Sequence, residues 1–82
     1  MENPIKRLRK ESGLSARAFA VSHGVNLYSL RAAEAGNASH LPKSLRLVLE
    51  ASGLDTEKLD AEYTMWLEEK VSEELEAIRG KA

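Results

Sequence analysis

Few side chains in this 82-residue chain are equipped for covalent chemistry, and their spacing does not bring them to use. There is no cysteine, and the two histidines, His23 and His40, are widely separated, so no zinc site is expected. Serines are frequent, yet none stands in a nucleophile-elbow pattern, and no glycine-rich loop is spaced to cradle a phosphate. The expectation is a non-enzyme with no metal and no cofactor. What remains is binding chemistry. Side chains able to donate hydrogen bonds to anions are plentiful in the first 48 residues, which hold eight Lys/Arg.

Charge points the same way. The net charge is only −1, but its distribution is uneven. Residues 1–48 carry eight Lys/Arg against three glutamates, and residues 49–82 carry four against ten Asp/Glu. An anionic polymer responds to the face within roughly 10 Å at 0.1 M salt, not to the total. The 43% apolar content supports a packed core, and the absence of cysteine fits a reducing compartment. No apolar run approaches the roughly 20 residues of a membrane span, and the first residues lack an apolar leader region. A cytoplasmic location is expected.

The elements that must position these residues are helices. Asn3-Pro4 reads as a cap followed by a first helical position where proline's missing N–H costs nothing. Ile5 and Leu8 form the inward stripe, Lys6, Arg7, Arg9 and Lys10 an ordinary solvated face, and Gly13 the stop. Ser15 caps a second helix with Phe19 and Ala20 inward, ending at Gly24. Asn26 caps a third, with Leu30 and Ala33 inward and Gly36 as stop; Leu27, Tyr28, Arg31 and Ala32 then point mainly outward. The segment "NASHLP" reads as a loop, after which Pro42 opens a fourth helix with Leu45, Val48 and Leu49 on one stripe. Asp55 caps a last helical region, and no stretch alternates long enough to be a strand. The fold class is all-α.

Phe19, Ala20, Gly24, Val25, Leu30 and Ala33 together resemble the helix-turn-helix of the phage repressor and Cro-like family. A small residue is followed four positions on by a turn glycine, then an apolar residue, then two further apolar anchors. "LSARAFA" resembles the family's entry to the motif, "EAG" the end of its recognition helix, and "LPKSLRLVLEASGLD" its fourth helix and following turn. The likeness spans roughly residues 5–60. It departs at several positions: Ala16 replaces a common phosphate-binding glutamine, Ala33 replaces a larger aliphatic anchor, and Leu27, Tyr28 and Ala32 stand where relatives often have Gln, Ser or Arg.

The resemblance implies a five-helix, repressor-like DNA-binding domain over residues 1–60, with a helical extension over 61–82. It implies that the third helix enters the major groove of double-stranded DNA, with Leu27, Tyr28, Arg31 and Ala32 facing bases. Arg17, Asn26, Asn37, Ser39, His40 and Lys43 would contact phosphates and fix register. The expected function is a transcriptional regulator, a repressor of phage, mobile-element or bacterial type, lying with the nucleoid. The alternative is a protein-interaction adaptor, antitoxin- or antirepressor-like, on the same scaffold.

Beyond residue 60 the chain offers two courses: a separate helix capped by Asp60, or one unbroken helix from Thr56 to near Arg79. Trp66, Leu67, Val71, Leu75 and Ile78 form a thin apolar stripe among glutamates. One small domain cannot cover such a stripe, so a partner helix is expected, most simply that of a second copy in a homodimer. The partner of the alternative reading is another protein held by this helix.

Overall fold

The computed structural model describes residues 1–80, so the last two residues of the expected 61–82 extension lie outside the described residues. Five helices follow in order: α1 (Pro4–Glu11), α2 (Ala16–His23), α3 (Leu27–Ala35), α4 (Lys43–Ala51) and α5 (Thr56–Gly80). No strand occurs among the described residues, so the chain is all-α. No helix among them is long and apolar enough to cross a membrane.

Local chemistry explains each start. The Asn3 side chain accepts from the backbone N–H groups of Ile5 and Lys6, Ser15 from Ala18, Asn26 from Tyr28 and Ser29, and Asp55 from Lys58. Each cap satisfies donors that the first helical turn leaves free. Only α4 begins without a side-chain cap: Pro42 precedes it and offers no acceptor.

Ile5, Leu30, Ala33, Leu45, Leu49 and Tyr63 are fully buried or nearly so, and Phe19, Ala20, Val25 and Leu41 complete the core. Every helix contributes to it. Burying each large side chain stabilises the fold by about 1.5–3 kcal/mol, the source of the stability of helices too short to persist alone.

Of the two courses open beyond residue 60, α5 takes the unbroken one, and Tyr63, Trp66 and Leu67 pack on the core, so the packed unit reaches Leu67. Other expectations need correction. Asp60 caps nothing within α5; its carboxylate accepts from the Leu41 N–H at 3.0 Å. Leu41 itself is a core residue inside a segment whose composition reads as loop. Arg9 does not belong to a solvated face. Its guanidinium makes a two-pronged pair with Glu34 of α3, 2.8–3.1 Å, and also donates to the Leu14 carbonyl at 3.0 Å. With 18% and 12% side-chain exposure, the pair is mostly shielded. The Glu34 hydrogen bond holds the guanidinium's pKa above its ordinary value. Arg7 pairs with Glu62 of α5 at 2.9 Å.

Candidate nucleic-acid interface

α2 and α3 are joined by a turn that must reverse direction within Gly24, Val25 and Asn26. Gly24 adopts a left-handed φ of 67°, where a Cβ would be strained, and its N–H returns to α2 carbonyls. The Val25 N–H then bonds Ala20 O at 2.9 Å, and Val25 drops into the core. His23 closes the turn from one side, its ring stacked on Phe19 at 4.2 Å between centroids.

α3 has two unlike faces. Leu30 and Ala33 are fully buried and tie it to the core. Tyr28 is 86% exposed and Arg31 is exposed, so the chain's own acidic end leaves this side open. Leu27 and Ala32 are half-buried, a correction to the expectation that they point mainly outward: Leu27 packs against the core along one side. Its remaining surface joins Arg17, Tyr28 and Arg31 around a surface cavity of about 210 Å³ between α2 and α3. Four residues named separately from the sequence therefore share one concavity, with two cations, a phenol and an aliphatic wall.

The other expected phosphate residues lie along the α3–α4 connection. Asn37, Ser39, His40 and Lys43 are all exposed, the last as the first residue of α4. Lys43 also lines a separate cavity of about 410 Å³ with Leu41, Arg46, Leu47 and Glu50, where the glutamate offsets part of the positive charge. His40 Nδ1 lies 3.5 Å from Asp60. Asn26 uses its side-chain oxygen as a cap, which leaves only its amide N–H₂ for an outside acceptor.

Residues to which the sequence reading gave another role or none hold this region in place. α5 brackets the segment 35–41 from one face. Asp60 accepts from Leu41 N, the Tyr63 hydroxyl donates to Ala38 O, and Lys70 Nζ donates to Ala35 O at 2.7 Å. Burial pushes the Tyr63 phenol up from its ordinary value, so it remains the protonated donor this bond requires. Asn3 of α1 donates to Ala33 O and Glu34 O. The C-terminal carbonyls of α3 are thus capped by two other elements. The available signal was the spacing of 60, 63 and 70 on one helical face, obscured because it mixes Asp, Tyr and Lys.

Trp66, named for a partner contact, is used within the chain. Its ring covers Gly36, where a Cβ would stand 3.0 Å from two ring atoms, and it sits 5.8 Å from the Tyr63 ring and under Lys70 Nζ. Val71, Leu75 and Ile78 remain exposed, and Leu67, Val71 and Leu75 share a cavity of about 310 Å³ with Glu68 and Ser72. No group of His, Asp and Glu among the described residues is arranged to hold a metal. Comparison with protein-family models, with curated proteins and with solved structures found no match.

Proposed function

We propose that this chain is a sequence-specific regulator of transcription that binds double-stranded DNA through the α2–α3 unit, a repressor-like helix-turn-helix. The carrying observation is the shared α2–α3 cavity: Arg17, Leu27, Tyr28 and Arg31 converge on a side of α3 left open by the described residues. A helix of α3's width enters the major groove, and its N-terminal end carries partial positive charge suited to phosphate. Arg31 offers a guanidinium for a guanine edge, Tyr28 and Arg17 offer donors to phosphate, and Ala32 offers a small apolar contact. α4 supports the reading as well. Its uncapped first N–H groups stand beside Lys43, at the end of the segment that carries Asn37, Ser39 and His40.

The exposed stripe of Val71, Leu75 and Ile78 pairs two copies, so that two reading helices meet two halves of an operator. The role assigned is binding, not catalysis. A second reading, the protein-interaction adaptor, is favoured by Val21 and Tyr28, which leave large apolar surface exposed on α2 and α3. Titration with random duplex DNA at rising salt separates the two. A regulator loses affinity linearly in log salt as phosphate-bound counterions are displaced, whereas an adaptor binds duplex weakly at every salt. Flat, negligible binding at low salt removes the DNA reading.

A further inference from the structure

Resting on the DNA-binding reading, we propose that the α2–α3 cavity recognises a 5-methylpyrimidine followed by guanine, with Leu27 receiving the methyl group and Arg31 the guanine edge. The class of ligand is therefore a duplex carrying thymine–guanine or 5-methylcytosine–guanine steps.

Leu27 and Arg31 line the same cavity and are four residues apart on α3, one above the other on a single helical face. The offset is about 6 Å along the helix axis, against a base-pair rise of about 3.4 Å, and the long Arg31 side chain leans back towards the N-terminus and so towards Leu27, which shortens the span. A guanidinium matches guanine O6 and N7 as a fork, and the C5-methyl of a pyrimidine projects into the same groove. Leu27 is half-buried, backed by the core, so its open side is a fixed apolar surface that loses little rotamer freedom on contact. Arg17 and Tyr28 form the other walls, where the phosphates flanking the step are met.

Leu27 has no polar atom. It cannot sense whether position 4 of the pyrimidine bears a carbonyl or an amine, only whether position 5 bears a methyl. Thymine and 5-methylcytosine are therefore equivalent at this position, and uracil and cytosine are their unmethylated counterparts.

The test begins by enriching sites for the full chain from a random duplex pool. The strongest site is then resynthesised with thymine, deoxyuracil, 5-methylcytosine or cytosine before the guanine, each with its Watson–Crick partner. The expected result is that thymine exceeds uracil, and 5-methylcytosine exceeds cytosine, by about fourfold for each methyl contacted. Leu27→Ala brings both ratios towards one; since the ratios are measured on the unaltered protein, a poorly folded variant leaves the test intact. Enriched sites lacking such a step, or equal affinity for thymine and uracil forms, overturn this inference while the DNA-binding reading stands. A pool with no enrichment overturns both.

Discussion

Replacing Gly36 with alanine separates two costs that usually arrive together. Gly24 and Gly36 each end a helix in left-handed backbone, with φ of 67° and 78°. That conformation costs a residue with a Cβ about 1–2 kcal/mol at either site. Their surroundings differ. A Cβ at Gly24 meets nothing within 4 Å, whereas at Gly36 it meets two Trp66 ring atoms at 3.0 Å and Lys70 Nζ at 3.2 Å. Lys70 can withdraw, but only by releasing Ala35 O. The Trp66 ring is wedged against Tyr63, so overpacking adds about 1–3 kcal/mol. Gly24→Ala is therefore expected to lose about 1–2 kcal/mol, and Gly36→Ala about 2–5 kcal/mol.

Urea midpoints and thermal melts measure both, and in a domain of this size each kcal/mol moves Tm by about 4–8 °C. Trp66→Leu supplies the control, because without the ring the excess cost at position 36 should fall towards that at position 24. Equal losses for the two glycine variants refute the reasoning. So does an excess at Gly36 that survives removal of the ring.

On an enriched site, Arg31→Ala is expected to cost about 1–3 kcal/mol and to relax preference at one base position, whereas Lys43→Ala should weaken all duplexes alike and reduce the salt slope by about one; mobility-shift titrations at several salts read both. Arg9→Met leaves the Glu34 carboxylate half-buried without its partner, and a loss of about 1–3 kcal/mol is expected by urea unfolding, partly restored when Glu34→Gln is added. Tyr63→Phe removes the donor to Ala38 O at a cost of about 1 kcal/mol at neutral pH. Because burial raises the folded phenol's pKa, the Tyr63 contribution is complete below the unfolded value of about 10 and is lost as pH rises through the folded one. The stability gap between the two proteins should therefore narrow in alkaline titration above about pH 10, and a gap that widens there contradicts the assignment.

The helices were readable because local signals agreed with one another. Asn3-Pro4, Ser15, Asn26 and Asp55 are caps by chemistry, and the glycines after α2 and α3 are stops by backbone freedom. The inward pairs Phe19–Ala20 and Leu30–Ala33 followed from helical spacing alone. Periodicity could not reveal which polar residues serve the interior, because it counts apolar positions. Arg9 sits beside Lys10 and looks equally solvated, yet Arg9 pairs with Glu34 across the fold while Lys10 lies near Glu2 of its own end of the chain. Asp60 and Lys70 were hidden in the same way, since their partners are backbone groups far away in sequence. Leu27 is more buried than expected because a wheel drawn through Leu30 and Ala33 does not show that the core also reaches one of its sides.

The bracket formed by α5 also fixes which charges stand beside α3. Lys70 meets the C-terminal end of α3, and the acidic run Glu73, Glu74 and Glu76 begins one turn beyond it. Arg31, Tyr28 and Leu27 occupy the portion of α3 towards its N-terminus, with Arg17 beside them. From Ala35 back to Leu27 the helix rises about 12 Å, slightly more than a Debye length at 0.1 M salt. Arg17 and Arg31 thus lie towards the positive end of the α3 dipole, and Lys70 stands at its negative end. At the C-terminal end the Lys70 ammonium is a favourable partner for the dipole, whereas at the other end the arginines add their charge to its positive potential.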